Sequence, residues 1–143
     1  MPWKYDPGEW RKKHKWNKDE AGFHWEGQEE IGKCPTSITR DSELAEELLN
    51  KGIGYPDAES PEAIYNIHQG VVYRAEVTLP GVSFHGFPEK EQKRRRVPTA
   101  VLLQLAHKAQ NDGTFHLFKD WMRAHLPEGW KAIASRFRQT GLT

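Results

Sequence analysis

The clearest pattern of hydrophobic and polar positions is a two-residue alternation over residues 71–79. A period of two places alternate side chains on opposite faces of a β-strand. An apolar set alternates here with a more polar one: Val71, Tyr73, Ala75, Val77 and Leu79 against Val72, Arg74, Glu76 and Thr78. The pattern therefore predicts a strand with one apolar face and one polar face.

Two shorter runs flank this strand and predict a small sheet. Residues 64–68 precede it across Gln69-Gly70, a two-residue link typical of a β-hairpin. Residues 82–85 resume the alternation after a turn, and the sequence Gly-Phe-Pro at residues 86–88 is expected to end that strand. We expect three antiparallel strands, as a hairpin or meander, within residues 63–87.

Apolar residues at helical spacing predict a helix before the strands, over residues 42–51. Leu44, Ala45, Leu48 and Leu49 fall on one face of it. Asp41 or Ser42 can cap its N-terminus. We expect it to end at Lys51-Gly52, since glycine tolerates the left-handed backbone in which helices often end.

Two or three further helices are predicted over residues 98–138. Pro98 can open the first, Thr114 can cap the second, and Pro127 begins a short third one. Strands followed by a run of helices favour an α+β fold, here a small antiparallel sheet packed against N-terminal and C-terminal helices. Residues 1–35 form an aromatic and basic segment with weak signals, apart from a short strand expected at residues 22–25.

Composition supports one folded domain over all 143 residues. The chain is polar, with 36% hydrophobic and 29% charged residues, yet 11% are aromatic and six are tryptophan, which argues against disorder.

No run approaches the roughly 20 apolar residues that span a bilayer. The N-terminus lacks the apolar stretch of a signal peptide, and Cys34 has no second cysteine to pair with. We therefore expect a soluble cytoplasmic protein without membrane contact.

Charge is segregated along the chain although the formal net charge is only +1. Residues 26–62 hold ten acidic and three basic side chains, whereas residues 90–143 hold four acidic and eleven basic ones. Such asymmetry can indicate an anionic partner for the basic end. Alternatively, the two parts solvate separate surfaces, because blocks in the sequence need not form patches in space.

Several well-defined motifs are absent: the P-loop, the dinucleotide-binding G-x-G-x-x-G, H-E-x-x-H, G-x-S-x-G and C-x-x-C. The scattered histidines match no zinc-ligand spacing, so we expect neither a metal site nor a cofactor. Cys34 is expected to be a small buried apolar residue.

His85 is the strongest candidate for chemistry, because it ends a strand and is followed by Gly86. Histidine is the usual general acid or base near neutral pH. Arg74 and Glu76 share one face of the preceding strand. If His85 lies across from them, the three supply the base, acid and cation that metal-free RNA cleavage requires. Otherwise, they are a surface histidine beside an ordinary cross-strand ion pair.

A basic run, Lys93, Arg94, Arg95 and Arg96, follows these strands. Arginine presents a planar fork of donors that matches phosphate oxygens. The sequence therefore makes this loop a candidate phosphate-binding site, although such runs also occur on solvated loops.

Three functional hypotheses remain. The leading one is a non-catalytic binding module whose basic loop and strand face contact nucleic acid or an acidic protein surface. The second is a metal-independent, toxin-type ribonuclease that uses His85 with Arg74 and Glu76. The third is a protein–protein interaction or immunity-type protein that presents its acidic helix and exposed tryptophans to a partner.

Overall fold

The computed structural model describes residues 3–5, 20–26, 28–35, 38, 41–56, 61–80, 82–92 and 96–138. Within these ranges the strands are β1 (Lys4–Tyr5), β2 (Gly22–Glu26), β3 (Glu29–Lys33), β4 (Ile53–Tyr55), β5 (Ala63–His68), β6 (Val71–Leu79) and β7 (Ser83–Pro88). The helices are α1 (Ser42–Asn50), α2 (Thr99–Asp112), α3 (Phe115–His125) and α4 (Pro127–Arg138). The α+β class predicted from the sequence is confirmed.

Contacts divide the chain into two compact units. The first comprises Met1–Asn66 and Tyr73–Pro88, and the second comprises Ile67–Val72 and Glu89–Thr143. The single domain expected from the length stays a prediction.

The main sheet has five strands in the order β1-β7-β6-β5-β4. Strands β5, β6 and β7 lie side by side as predicted, with β6 antiparallel to β7, and the unpredicted strand β4 pairs antiparallel with β5. Strand β1 pairs with β7 in parallel, which makes the sheet mixed. Strands β2 and β3 form a separate antiparallel pair. The third predicted strand continues further than expected, because residues 86–88 remain paired with β6 up to Pro88 opposite Tyr73.

Helix α1 begins as its sequence predicts. The Asp41 side chain accepts a hydrogen bond of 3.0 Å from the Leu44 backbone N–H, so Asp41 is the cap. The apolar stripe packs on one face of the sheet, where Leu49 joins Ile64, Ala75 and Phe84 in a buried cluster.

The helix ends beside Gly52, but for a different reason from the one expected. The C-cap residue is Lys51, with a φ of −96°, and Gly52 is not among the described glycines with positive φ. A Cβ at Gly52 would lie 2.5 Å from the Ile64 Cγ2 atom and 2.8 Å from the Tyr65 carbonyl oxygen. Close packing of the chain against β5 therefore requires the glycine, rather than a left-handed backbone.

The second unit is built from the tip of the β5–β6 hairpin and the three C-terminal helices. Leu102, Leu105, Phe118, Met122 and Ile133 are fully buried there. Helix α2 ends at Gly113, whose φ of 81° is the left-handed conformation typical of a helix end. Thr114 is the N-cap residue of α3, as predicted, but its hydroxyl bonds to the Asp112 carboxylate and makes no capping hydrogen bond to the helix.

Hydrogen bonds tie the segment after β7 to these helices. The Trp121 indole N–H donates to the Glu89 carbonyl at 3.3 Å, and the Glu91 N–H donates to the His125 carbonyl at 2.9 Å. The Glu91 carboxylate in turn accepts from the Glu128 backbone N–H at 2.5 Å. This carboxylate therefore caps the N-terminus of α4, where a negative charge suits the helix dipole.

No helix in the described part of the chain is both long enough and apolar enough to cross a membrane.

The hairpin turn between β5 and β6 depends on left-handed backbone. Gln69 has a φ of 52° and Gly70 a φ of 80°, the pair of positive values that a two-residue turn of this kind needs. A Cβ at Gly70 would also lie 2.6 Å from the Phe118 backbone nitrogen and collide with Leu117. The turn thus packs directly on α3.

Two glycine substitutions separate these effects. Gly70→Ala should lower the free energy of unfolding by about 3 kcal/mol, because it combines an unfavourable φ with a collision against α3 backbone. Gly113→Ala, the control, should cost about 1 kcal/mol, because its φ is similar but no atom lies within 4 Å of the added Cβ. Urea denaturation of both variants measures the difference. Equal losses would contradict the packing of the turn on α3.

Candidate functional site on the polar face of the sheet

The pairing of β6 with β7 brings the three candidate catalytic residues onto one face of the sheet. Glu76 lies opposite His85, and Arg74 lies opposite Phe87. Residues paired in this way project from the same face. Helix α1 covers the other face, on which Ala75 and Phe84 pack. Arg74, Glu76 and His85 therefore share the face opposite α1, which we call the polar face.

Arg74 is held on this face by Glu76 and Tyr65. Its Nε atom lies 3.0 Å from the Glu76 Oε1 atom, and one terminal nitrogen donates to the Tyr65 hydroxyl. Its guanidinium also lies 5.3 Å from the centroid of the Tyr65 ring. The Arg74 side chain is only 15% exposed and Tyr65 is 1% exposed, so this cation is fixed rather than free to sample solvent.

His85 is half-buried and is held from β6 as well as by its own strand. Its Nδ1 atom lies 3.0 Å from the Thr78 hydroxyl oxygen. The register of β6 against β7 shifts between Val77 and Leu79, so Thr78 is the extra residue of a β-bulge. The Phe87 ring lies on the same strand, with its centroid 6.2 Å from that of His85.

Arg96 is the one member of the predicted phosphate-binding run that the structure describes, because Lys93, Arg94 and Arg95 lie outside the described residues. It is exposed and lies 4.0 Å from the Glu91 carboxylate, in the second unit. The two residues line a cavity of about 250 Å³ beside the N-terminus of α4. The Arg96 side chain is 59% exposed whereas Glu91 is 14% exposed, so a phosphate arriving from solvent can reach the Arg96 guanidinium.

A second cavity lies on the α1 side of the first unit and carries no evident chemistry. It has a volume of about 50 Å³ and is lined mainly by apolar side chains, with Cys34 among them. Ligand pockets commonly enclose about 300–1,000 Å³, so this space is a packing gap. Cys34 is buried, as the sequence predicted, and its thiol points to the Gly86 carbonyl at 3.8 Å.

Other candidate groups are more scattered. In the described ranges, no cluster of three or more histidine, cysteine or acidic side chains is arranged to hold a metal ion. His125 in the second unit has its pKa lowered from the usual 6.5 by burial and by the positive charge of Lys90. It is therefore neutral over a wider pH range than an exposed histidine. Trp25 on β2 is 61% exposed, whereas Trp10 and Trp16 lie outside the described residues.

Three residues that support the candidate site were not predicted to do so from the sequence. Tyr65 reaches Arg74 only through the pairing of β5 with β6, and Thr78 reaches His85 at an unpredicted bulge. Lys4 pairs with Ser83 across the parallel β1–β7 contact, which puts an exposed cation at the edge of the same face. Of the three, Thr78 alone has a signal in the sequence, because the alternation in β6 groups it with Arg74 and Glu76 on one face.

The polar face thus combines a carboxylate, an imidazole and a fixed guanidinium within one antiparallel strand pair. Directly opposed residues have Cβ atoms about 5 Å apart, so Glu76 and His85 can flank one small group of a ligand. Such an arrangement can move protons to and from a bound anion. Comparison of the chain with protein-family models, with curated protein sequences and with solved structures finds no match.

The hydrogen bond between Tyr65 and Arg74 should contribute strongly to stability because both partners are largely buried. Tyr65→Phe keeps the ring and removes the hydroxyl, and should lower the free energy of unfolding by about 1.5–3 kcal/mol, the range for hydrogen bonds to charged groups. Tyr55→Phe is the control, since Tyr55 is 48% exposed and should change stability by less than about 0.5 kcal/mol. Urea denaturation measures both. A Tyr65→Phe variant as stable as the control would show that Arg74 is not fixed by this contact.

Proposed function

We propose that this protein is a metal-independent ribonuclease whose reaction takes place on the polar face. The observation that carries the proposal is the placement of Glu76 directly opposite His85, with the fixed cation Arg74 bonded to Glu76. Cleavage of RNA by its own 2′-hydroxyl needs a base for that hydroxyl, an acid for the leaving oxygen and a cation for the phosphate. Each requirement has one candidate side chain here.

In the proposed reaction the Glu76 carboxylate takes the proton of the 2′-hydroxyl as the 2′-oxygen forms a bond to phosphorus. The bond between phosphorus and the 5′-oxygen breaks, and the His85 imidazolium donates its Nε2 proton to that oxygen. Arg74 neutralises the charge on the non-bridging phosphate oxygens. The products are a 2′,3′-cyclic phosphate and a 5′-hydroxyl, with one proton gained by Glu76 and one lost by His85.

Partial burial supports this assignment over an ordinary surface ion pair. The Arg74 and Glu76 side chains are 15% and 34% exposed, so the attraction of Arg74 for a bound phosphate is less weakened by water than that of a fully exposed cation. A cation already held by Tyr65 also loses little side-chain entropy when it binds a ligand. Preorganised donors of this kind are the main source of charge stabilisation in enzyme sites.

The binding module with its basic loop is the second candidate. It is favoured by Arg96, which is exposed beside a cavity of about 250 Å³ and follows three further basic residues in the sequence. Binding of nucleic acid through that loop would weaken steeply with salt, by roughly one counterion per phosphate contact. It would require neither His85 nor Glu76.

Cleavage of a fluorescently labelled single-stranded RNA of mixed sequence, with a metal chelator present, tests the proposal. His85→Ala and Glu76→Gln should each lower the cleavage rate by about 10²- to 10⁴-fold, the usual contribution of a general acid or base. His107→Ala removes an exposed histidine on α2 and should leave the rate unchanged. Circular dichroism of each variant checks that the fold is kept.

The outcomes separate the two candidates. An intact protein that cleaves no RNA, or cleaves it equally well without His85 and Glu76, contradicts the ribonuclease. Salt-sensitive RNA binding without cleavage, lost in Arg96→Gln but kept in His85→Ala, would instead favour the binding module.

A further inference from the structure

The β-bulge in β6 places a hydroxyl group beside the Nδ1 atom of His85, the ring nitrogen that takes no part in the proposed proton transfer. Thr78 is the residue that the pairing of β6 with β7 leaves without a direct partner in register. Bulges commonly redirect a side chain next to a functional site. Here the Thr78 Oγ1 atom lies 3.0 Å from the Nδ1 atom of His85.

Resting on the proposed ribonuclease function, we infer that Thr78 is a positioning residue that accepts the Nδ1–H of His85 and so makes Nε2 the proton-transferring atom. A protonated imidazole has an N–H on both nitrogens, so its Nδ1 can only donate to the Thr78 oxygen. If this bond persists after His85 gives up its other proton, the neutral ring keeps the proton on Nδ1. The Nε2 atom then carries the lone pair that recovers a proton for the next turnover.

The groups around the ring are consistent with this orientation. Glu76 faces His85 from β6, Phe87 lies beside it on β7, and Lys4 pairs with the neighbouring Ser83 from β1. The 3.0 Å distance from the Thr78 Oγ1 atom to Nδ1 shows that Nδ1 is the ring nitrogen held by this hydroxyl. A hydroxyl can serve either protonation state of the ring, whereas a carboxylate at this position would retain the ring proton more strongly.

The effect on rate should be modest, because the bond between Thr78 and His85 is open to solvent. The net contribution of one hydrogen bond of this type corresponds to about a 3- to 10-fold change in an equilibrium or a rate. Thr78→Val, which removes the hydroxyl, should therefore lower kcat by about 3- to 10-fold. It should leave KM nearly unchanged, since the proposed reaction gives Thr78 no part in binding the RNA. Thr78→Ser should restore kcat.

A measurement independent of activity distinguishes this inference from the proposed function. In ¹⁵N-labelled protein, the chemical shifts of the two His85 ring nitrogens report which of them carries the proton. The wild type and Thr78→Ser should hold the neutral ring mainly in the Nδ1–H form, and Thr78→Val should shift it towards the Nε2–H form.

Each result decides one part. A wild-type ring in the Nε2–H form, or a proton distribution unchanged in Thr78→Val, overturns the role of Thr78 even if RNA is cleaved. The expected distribution in a protein that cleaves no RNA keeps the orientation of His85 and refutes the ribonuclease. Should Thr78→Val fail to fold, the wild-type spectrum and Thr78→Ser still decide which nitrogen is protonated.

Discussion

The register between β6 and β7 is the constraint on which the candidate site depends. It pairs Val77 with Phe84 on the face that packs under α1, and Glu76 with His85 on the opposite face. A slip of one residue in either strand would move its whole apolar set to the opposite face. Because Phe84 and Ala75 are buried beneath α1 with Leu49, such a slip would expose part of the core. The same packing that stabilises the first unit therefore holds Arg74, Glu76 and His85 together.

Two local irregularities of the strands add the contacts that hold the ionisable side chains of the polar face. The left-handed turn at Gln69-Gly70 fixes the pairing of β5 with β6, and so brings Tyr65 to Arg74. The bulge at Thr78 brings a hydroxyl to His85. Regular strands alone would supply the three ionisable groups without holding them. The turn and the bulge are thus the features that convert a polar sheet face into a preorganised site.

Much of the fold could be predicted because its elements carry strong local signals. The nine-residue alternation of β6 and the capped stripe of α1 each persist over at least two periods, and both were located correctly. Strands β1 and β4 could not be found in this way, because two or three residues are too few to show a period. Strand β3 reads as polar, with Glu29, Glu30 and Lys33 in five residues. Its pairing with β2 is set by the tertiary structure rather than by its own propensity.

The candidate site, like the fold, could be predicted only where a local pattern exists. That Arg74 and Glu76 share a face follows from the period of one strand. That His85 joins them depends on the pairing of two strands, which the sequence only suggested. Tyr65 and Lys4 join the polar face through partners that lie nine and about 80 residues away in the chain, and the bulge that directs Thr78 leaves no local pattern. Contacts of this kind depend on which strands pair, and the pattern within a single strand does not specify its partner.

The end groups of the RNA products test the central claim most directly. Mass spectrometry of RNA treated with the intact protein, with a chelator present, identifies them. Proton transfer between Glu76, the 2′-hydroxyl and His85 predicts 2′,3′-cyclic phosphate and 5′-hydroxyl ends, and no cleavage of the same RNA when every 2′-oxygen is methylated. Ends with a 5′-phosphate, or cleavage of the methylated RNA, would contradict the account, because neither can arise from attack by the 2′-oxygen.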